Sequence, residues 1–229
     1  MKSGVIFETL DLWILTRLQR AISKATKSFS EYEYCDARVA IEDFFWNDFC
    51  DNYLEMVKGR AYDEKGENPK GQLSAAHAIH HCLDGILRLF APFVPHITEE
   101  LYSTIFEEKI AKIKSIHSRG NWPDAKLYPV DEAAEKSGIA GVSILNAVRK
   151  LKSEQNLSMK VPINVLYVNQ VSEKQENVKE IEYDLKSVTN ALDIKWLGKT
   201  DISKDLPNTL TEDQQFTVGA EFGEKVNVA

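Results

Sequence analysis

The chain has 229 residues, 43% of them hydrophobic, and a formal charge of -7. That is enough apolar content for one large domain or two modest ones, and the wrong sign for a uniformly basic nucleic-acid coat. No apolar run approaches the roughly 18 residues needed to cross a bilayer and no signal pattern opens the chain, so it reads as cytoplasmic, while Cys35, Cys50 and Cys82 form no CxxC pair and point away from disulfides or cysteine-bound zinc.

Leu10, Trp13, Ile14, Leu18, Ala21, Ile22, Ala25 and Phe29 predict an amphipathic helix over residues 8–29. The short connection from Ser30 to Glu33 leads into a second helix over 35–57, and so short a link predicts an antiparallel hairpin. On a wheel of about 100° per residue, Ala37, Ile41, Phe44, Phe45, Trp46, Phe49, Tyr53, Met56 and Val57 fill an arc of roughly 220°. This helix should therefore pack on two sides, with Trp46 at the arc's edge assigned to the core. Asp48 and Asn52 fall inside the arc, where a carboxylate needs a partner. Arg17 lies within the apolar arc of the first helix at the height of Asp48, so the two are expected to pair. Asn52 is expected to be a buried hydrogen-bonding residue.

Residues 59–71 are polar and glycine-rich and read as a loop. A third helix is expected from Leu73 to Phe90, with Ala76, Ile79, His80, Leu83, Ile86 and Leu87 on its apolar side. A fourth runs from Pro95 through Ile97, Leu101, Tyr102 and Ile105 to about Glu108. Lys109, Lys112, Lys114, His117 and Arg119 form a basic stretch, Trp122-Pro123 reads as extended, and another helix covers 130–155. The pattern then changes: 161–168 is β-rich, 178–192 helical, and 194–197 and 216–222 short strands. The expected fold is mainly α: an antiparallel helical bundle over residues 1–125, then a linker helix and a small α+β domain over 126–229.

The sequence contains no glycine-rich phosphate loop, no GxSxG and no convincing nucleophile with a base, so catalysis is not visible in it. His77, His80 and His81, with His96 further on, are a sparse ligand set. The three helical histidines do not converge, and no metal site is assigned against the plainer reading of helical or RNA-facing histidines. Arg20, Lys24 and Lys27 at i, i+4, i+7 make a ridge that could hold phosphates; the plain alternative is a solvated helix face. Arg149, Lys150, Lys152 and Lys160 form a second basic cluster. Tyr32, Tyr34 or Trp46, if exposed, could stack on unpaired bases, although core packing is the plainer job for Trp46 at the edge of the apolar arc.

Four blocks together are far more specific than any of these features. They are Asp11-Leu12-Trp13-Ile14-Leu15-Thr16-Arg17-Leu18, the run from Phe44 to Glu55, the run from Leu89 to Tyr102, and Ser115-Ile116-His117 before Trp122-Pro123. In order and spacing they resemble the anticodon-binding helical domain of class I aminoacyl-tRNA synthetases over residues 8–123. The valyl type is most similar, chiefly through Trp46-Asn47-Asp48-Phe49-Cys50-Asp51 and Ser115-Ile116-His117, and the isoleucyl type is the nearest rival. The resemblance implies a module that grips the anticodon stem and loop of a transfer RNA, tRNA-Val by the closest match. It implies that the module is not catalytic by itself and serves upstream catalytic and editing domains. ATP and magnesium would belong to that catalytic domain. Neither class I nucleotide motif is present, so the chain reads as a C-terminal piece of such an enzyme, monomeric, with no cofactor of its own. By position, Arg20, Lys24 and Lys27 would meet anticodon nucleotides and Arg149, Lys150 and Lys152 the stem. The competing reading is a helical protein-interaction domain that binds no RNA.

Overall fold

A computed structural model describes residues 5–106, 115–118, 122–171, 178–197, 202–203 and 205–223; the basic cluster expected at Lys109, Lys112, Lys114 and Arg119 lies outside them. The chain groups into two units, Met1–Leu54 with Gly66–Glu135, and Glu55–Lys65 with Lys136–Ala229. The first is helical and the second mixes helices with a small sheet.

In the first unit, α1 spans Thr9–Ser30, with Leu10, Ile14, Leu18, Ile22 and Ala25 buried along one stripe as the periodicity requires. Its end is closed by Glu33 N–H donating to Ser28 O at 2.8 Å, past Tyr32 at φ 62°, a left-handed position usually given to glycine. Helix α2, Tyr34–Asp43, returns along α1. Phe44–Tyr53 then winds as a π-helix, and α3, Leu54–Ala61, carries the chain into the second unit.

The π segment corrects the expectation of uniform α winding. Its buried side chains are Phe44, Phe49 and Tyr53, spaced by five and then four, the stride of i→i+5 winding. A 100° wheel drifts along such a stretch. Trp46, assigned to the core, is 57% exposed. Asn52, expected to be buried, is only half-buried and donates from Nδ2 to Asn47 O at 2.7 Å, on its own helix. The Arg17–Asp48 pair is present: Arg17 Nε donates to Asp48 Oδ2 at 2.8 Å.

Helix α4, Pro69–Phe90, starts earlier than Leu73 because Asn68 caps it, Oδ1 accepting from Gly71 N–H at 2.9 Å, with Pro69 in its first turn. Its core side is rotated from the expected one. Ala75, Ala78 and Cys82 are buried, whereas Ala76 and His80 are exposed. Small residues face α1, and a Cβ on Gly85 would stand 3.0 Å from a Leu18 methyl. The rotation is held by a buried carboxylate. Asp11, 0% exposed, accepts from Tyr53 OH at 2.7 Å and from Ser74 Oγ at 2.6 Å, tying α1 to the π segment and to α4.

Helix α5 spans Pro95–Ile105. Its Glu99 Oε2 accepts from Ser115 Oγ at 2.8 Å and Ile116 N–H at 3.0 Å, which fastens the Ser-Ile-His block and buries Ile116 against Leu87, Ala91, Tyr102 and Phe106. After a 3-10 turn at Ala125–Leu127, Thr16 Oγ1 accepts from Asp131 N–H at 3.0 Å, and Asp131 Oδ1 caps α6 by accepting from Ala134 N–H at 2.9 Å. Helix α6, Glu132–Glu154, begins in the first unit and continues in the second.

The second unit holds a four-stranded sheet in the order β2-β1-β4-β3: β1 Ile163–Gln170, β2 Ala191–Leu197, β3 Asn208–Leu210 and β4 Phe216–Phe222. β1 and β2 are parallel and the other pairs antiparallel. The parallel pair needs a crossover, which a 3-10 turn at Val178–Ile181 and α7, Glu182–Thr189, supply. Residues 178–192 are therefore not one helix. Asn190 at φ 57° ends α7 and the strand begins at Ala191. β3 carries no alternating apolar signal, and the sequence reading missed it.

Residues 59–61, read as loop, are the last turn of α3, and the reason is Arg60. Its guanidinium is 1% exposed and meets Asp184 of α7 through two bonds, Nε to Oδ1 at 3.1 Å and Nη2 to Oδ2 at 3.2 Å, the bidentate geometry that makes a buried charge tolerable. A Cβ on Gly59 would overlap the Ser187 hydroxyl, so only glycine allows this approach. Lys152 plays a similar part. It is buried, and its ammonium donates to Met159 O, Val161 O and Thr189 O at 2.9, 2.8 and 3.0 Å.

Two stability outcomes follow from these ties. Arg17→Met should cost about 2 kcal/mol by leaving a half-buried carboxylate without its cation, and a double-mutant cycle with Asp48→Leu, read by urea melts, should show coupling of about 1 kcal/mol or more. Burial lowers the Lys152 ammonium from 10.5 to about 8, so the unfolded chain holds a proton that the folded chain has released between those values. Stability should thus climb with pH across that window, by up to about 1.4 kcal/mol per pH unit. Lys152→Met should remove that climb and, near neutral pH, cost about 2 kcal/mol for three carbonyls left without their shared donor, as followed by urea melts between about pH 7.5 and 10.5.

Candidate nucleic-acid interface

The periodicity that buries one side of α1 places Arg20, Lys24 and Lys27 along its flank. All three are exposed. Lys27 Nζ lies 4.0 Å from Glu31, a solvated i,i+4 pair of little energetic weight, so its charge stays available. Arg20 is engaged differently: its Nη2 donates to Glu135 Oε2 at 3.2 Å, while Arg17 Nη1 donates to Glu135 Oε1 at 3.5 Å.

The four charges make a closed cluster. Arg17 sits between Asp48 and Glu135, and although burial alone would lower its pKa, the two carboxylates carry it above the ordinary guanidinium value. Burial raises the Asp48 carboxyl, Arg17 pulls it back, and the like charges of Asp43 and Glu135 leave it above the usual range. Glu135 is the member that sequence reasoning missed. It stands on the first turn of α6, 115 residues from Arg20, and no helical wheel relates the two.

Beyond Lys27 the hairpin end is aromatic. Phe29 packs against Tyr34, Phe93 and Trp122 with centroids at 5.7, 5.7 and 5.1 Å, and Trp122 Nε1 donates to Thr26 Oγ1 at 2.8 Å. Tyr32 and Tyr34 are exposed and meet edge-on at 6.3 Å. Flat π faces and the exposed Lys24 and Lys27 thus share the hairpin end of α1, the two chemistries that hold unpaired nucleotides. Trp46 is exposed on the π segment, edge-on to Phe45 at 4.7 Å.

The candidates on α6 separate by environment. Lys150 is exposed. Arg149 is half-buried and donates to Asn146 Oδ1 at 3.0 Å. Lys152 is not available to a phosphate, because burial and three carbonyls occupy its ammonium; proximity in sequence to Arg149 and Lys150 grouped it wrongly. The histidines do not gather: His80 lies edge-on to Phe106 at 4.9 Å and to His81 at 5.8 Å, and His117 Nε2 is 3.1 Å from Pro95 O. Among the described residues no group of three His, Cys, Asp or Glu side chains is placed to hold a metal ion, and no helix is long and apolar enough to cross a membrane.

Residues 11–167 match the family described as the anticodon-binding domain of tRNA ligase. Valine--tRNA ligase of Ehrlichia ruminantium (strain Welgevonden) is 46% identical over 186 residues, 81% of this chain and 22% of that protein. The Valine--tRNA ligase of Wolbachia sp. subsp. Brugia malayi (strain TRS) is 41% identical over 191 residues, 83% of this chain and 22% of its own length. That of Wolbachia pipientis wMel is 38% identical over 215 residues, 94% of this chain and 23% of its own length. The chain therefore spans less than a quarter of the length of the curated relatives it matches. The block order that suggested the fold, the helical unit that displays it and the family match over residues 11–167 agree, and the chain belongs to the anticodon-binding domain family of tRNA ligases.

Proposed function

We propose that this chain recognises the anticodon stem and loop of a transfer RNA, tRNA-Val by its similarity to valine--tRNA ligases, and works as the non-catalytic tRNA-holding part of such an enzyme. The family match over residues 11–167 carries the reading. The exposed Lys24 and Lys27 beside exposed Tyr32 and Tyr34 support it from chemistry. Amino-acid activation with ATP and magnesium, and any editing, would fall to the remaining length of the longer relatives, with this chain contributing position and affinity. Lys150 and Arg149 are the candidates for stem phosphates.

The formal charge of -7 makes local cations the sole electrostatic attraction, so binding should be weak and sensitive to salt. Filter binding with a tRNA-Val transcript at about 50 and 200 mM salt should show affinity falling steeply. Lys24→Ala with Lys27→Ala should weaken binding roughly 5- to 10-fold at the lower salt and flatten the logarithmic salt slope by about 1.5, the signature of two lost phosphate contacts. Absence of binding at the lower salt would instead favour a protein-interaction module.

A further inference from the structure

Arg17 and Arg20 stand one turn apart on α1 and direct one nitrogen each at the two oxygens of a single carboxylate, Arg17 Nη1 to Glu135 Oε1 at 3.5 Å and Arg20 Nη2 to Glu135 Oε2 at 3.2 Å. Two guanidinium groups converging on two oxygens of one anion is also the way arginines take a phosphate. The site is not sealed. The Arg20 side chain is 48% exposed and that of Arg17 30%, so an incoming anion can reach both, whereas Glu135 is 15% exposed and lies beneath them.

We propose that the Arg17–Arg20 pair is a phosphate site of this chain held shut by its own Glu135, and that an RNA backbone phosphate must displace that carboxylate to use it. The inference rests on the proposed reading of α1 as an RNA-binding flank. Arg17 keeps a second anion, Asp48, at 2.8 Å, and so stays in place when Glu135 is displaced. Among the described residues of the cluster Arg20 bonds Glu135 alone, and on its displacement Arg20 becomes free to turn outward. The cluster holds two positive and two negative charges when closed, so the ridge is electrostatically weaker at Arg20 than its sequence suggests. Lys24 and Lys27 provide the initial attraction, and Arg20 joins only when an anion outcompetes Glu135.

The test uses the full 229-residue chain and a tRNA-Val transcript. Glu135→Gln removes the competing charge but keeps the side chain's size. It should raise affinity roughly 3- to 10-fold at about 50 mM salt and steepen the logarithmic salt slope by roughly 0.7 to 0.9, one additional phosphate contact. Arg20→Ala added to Glu135→Gln should erase both gains. Glu132→Gln changes the same charge on the exposed first turn of α6 and should move affinity much less, which separates displacement from a general loss of negative charge. Thermal melts of each variant establish that the fold is kept. Wild-type binding with Glu135→Gln unchanged or weaker would overturn the shut site while leaving the RNA-binding reading intact, because it would make Glu135 a support that aims Arg20. Binding by neither chain would overturn both. Binding by Glu135→Gln alone would establish the site in its most tightly closed form.

Discussion

The first unit depends on one carboxylate that water does not reach. Asp11 accepts from Tyr53 OH and Ser74 Oγ, and Ser74 Oγ in turn receives the N–H groups of Phe7 and Glu8 at 3.3 and 3.4 Å. A buried carboxylate left without donors costs several kcal/mol, so the helices that supply those donors have little freedom in where they sit. Tyr53 closes the π segment and Ser74 lies in the second turn of α4. Tyr53 must therefore reach α1 with its hydroxyl while its ring stacks on Phe49 and edges Trp13 at 6.0 and 6.4 Å. The wider stride of the π winding brings Phe44, Phe49 and Tyr53 onto one face, a set that 3.6-residue winding would fan apart.

Much of this fold was legible where one local period decides it. Helix α1, the hairpin after it, and the strand Phe216–Phe222 follow from apolar spacing alone, and the Arg17–Asp48 pair follows because a tight turn converts sequence distance into height. The π segment left a partial trace in the five-residue gap between Phe44 and Phe49. Where position depends on a polar partner far along the chain, no local signal exists. Asp11 and Ser74 are 63 residues apart, Arg60 and Asp184 are 124 apart, and Lys152 and Thr189 are 37 apart. Read locally, Arg60 sits in a polar, glycine-rich run and Lys152 in a basic patch. In the structure each is buried because its partner removes the cost of burying it.

The same distinction decides which cations face solvent for an RNA. Arg20, Lys24, Lys27, Arg149, Lys150 and Lys152 carry equal formal charge in a count of residues, yet their environments differ sharply. Lys24 and Lys150 are exposed, Lys27 is only loosely paired, Arg20 is engaged by Glu135, Arg149 is half-buried, and Lys152 is spent on carbonyls. An acidic chain can therefore present a cationic edge, provided its acids are themselves occupied. Asp11, Asp48, Glu135 and Asp184 all are.

The placement of Glu55–Lys65 in the second unit sets an order on how the chain can be completed as it is made. The first unit has all its residues once Glu135 has been synthesised, and Arg60 then still lacks Asp184. At about 5 to 20 residues per second, a stretch of 124 residues takes roughly 6 to 25 s to emerge. For that interval the last turn of α3 carries a guanidinium without Asp184 and a glycine face without Ser187 against it. The helical unit can form early, but the α+β unit must wait for α7 to supply the partner for an arginine translated long before.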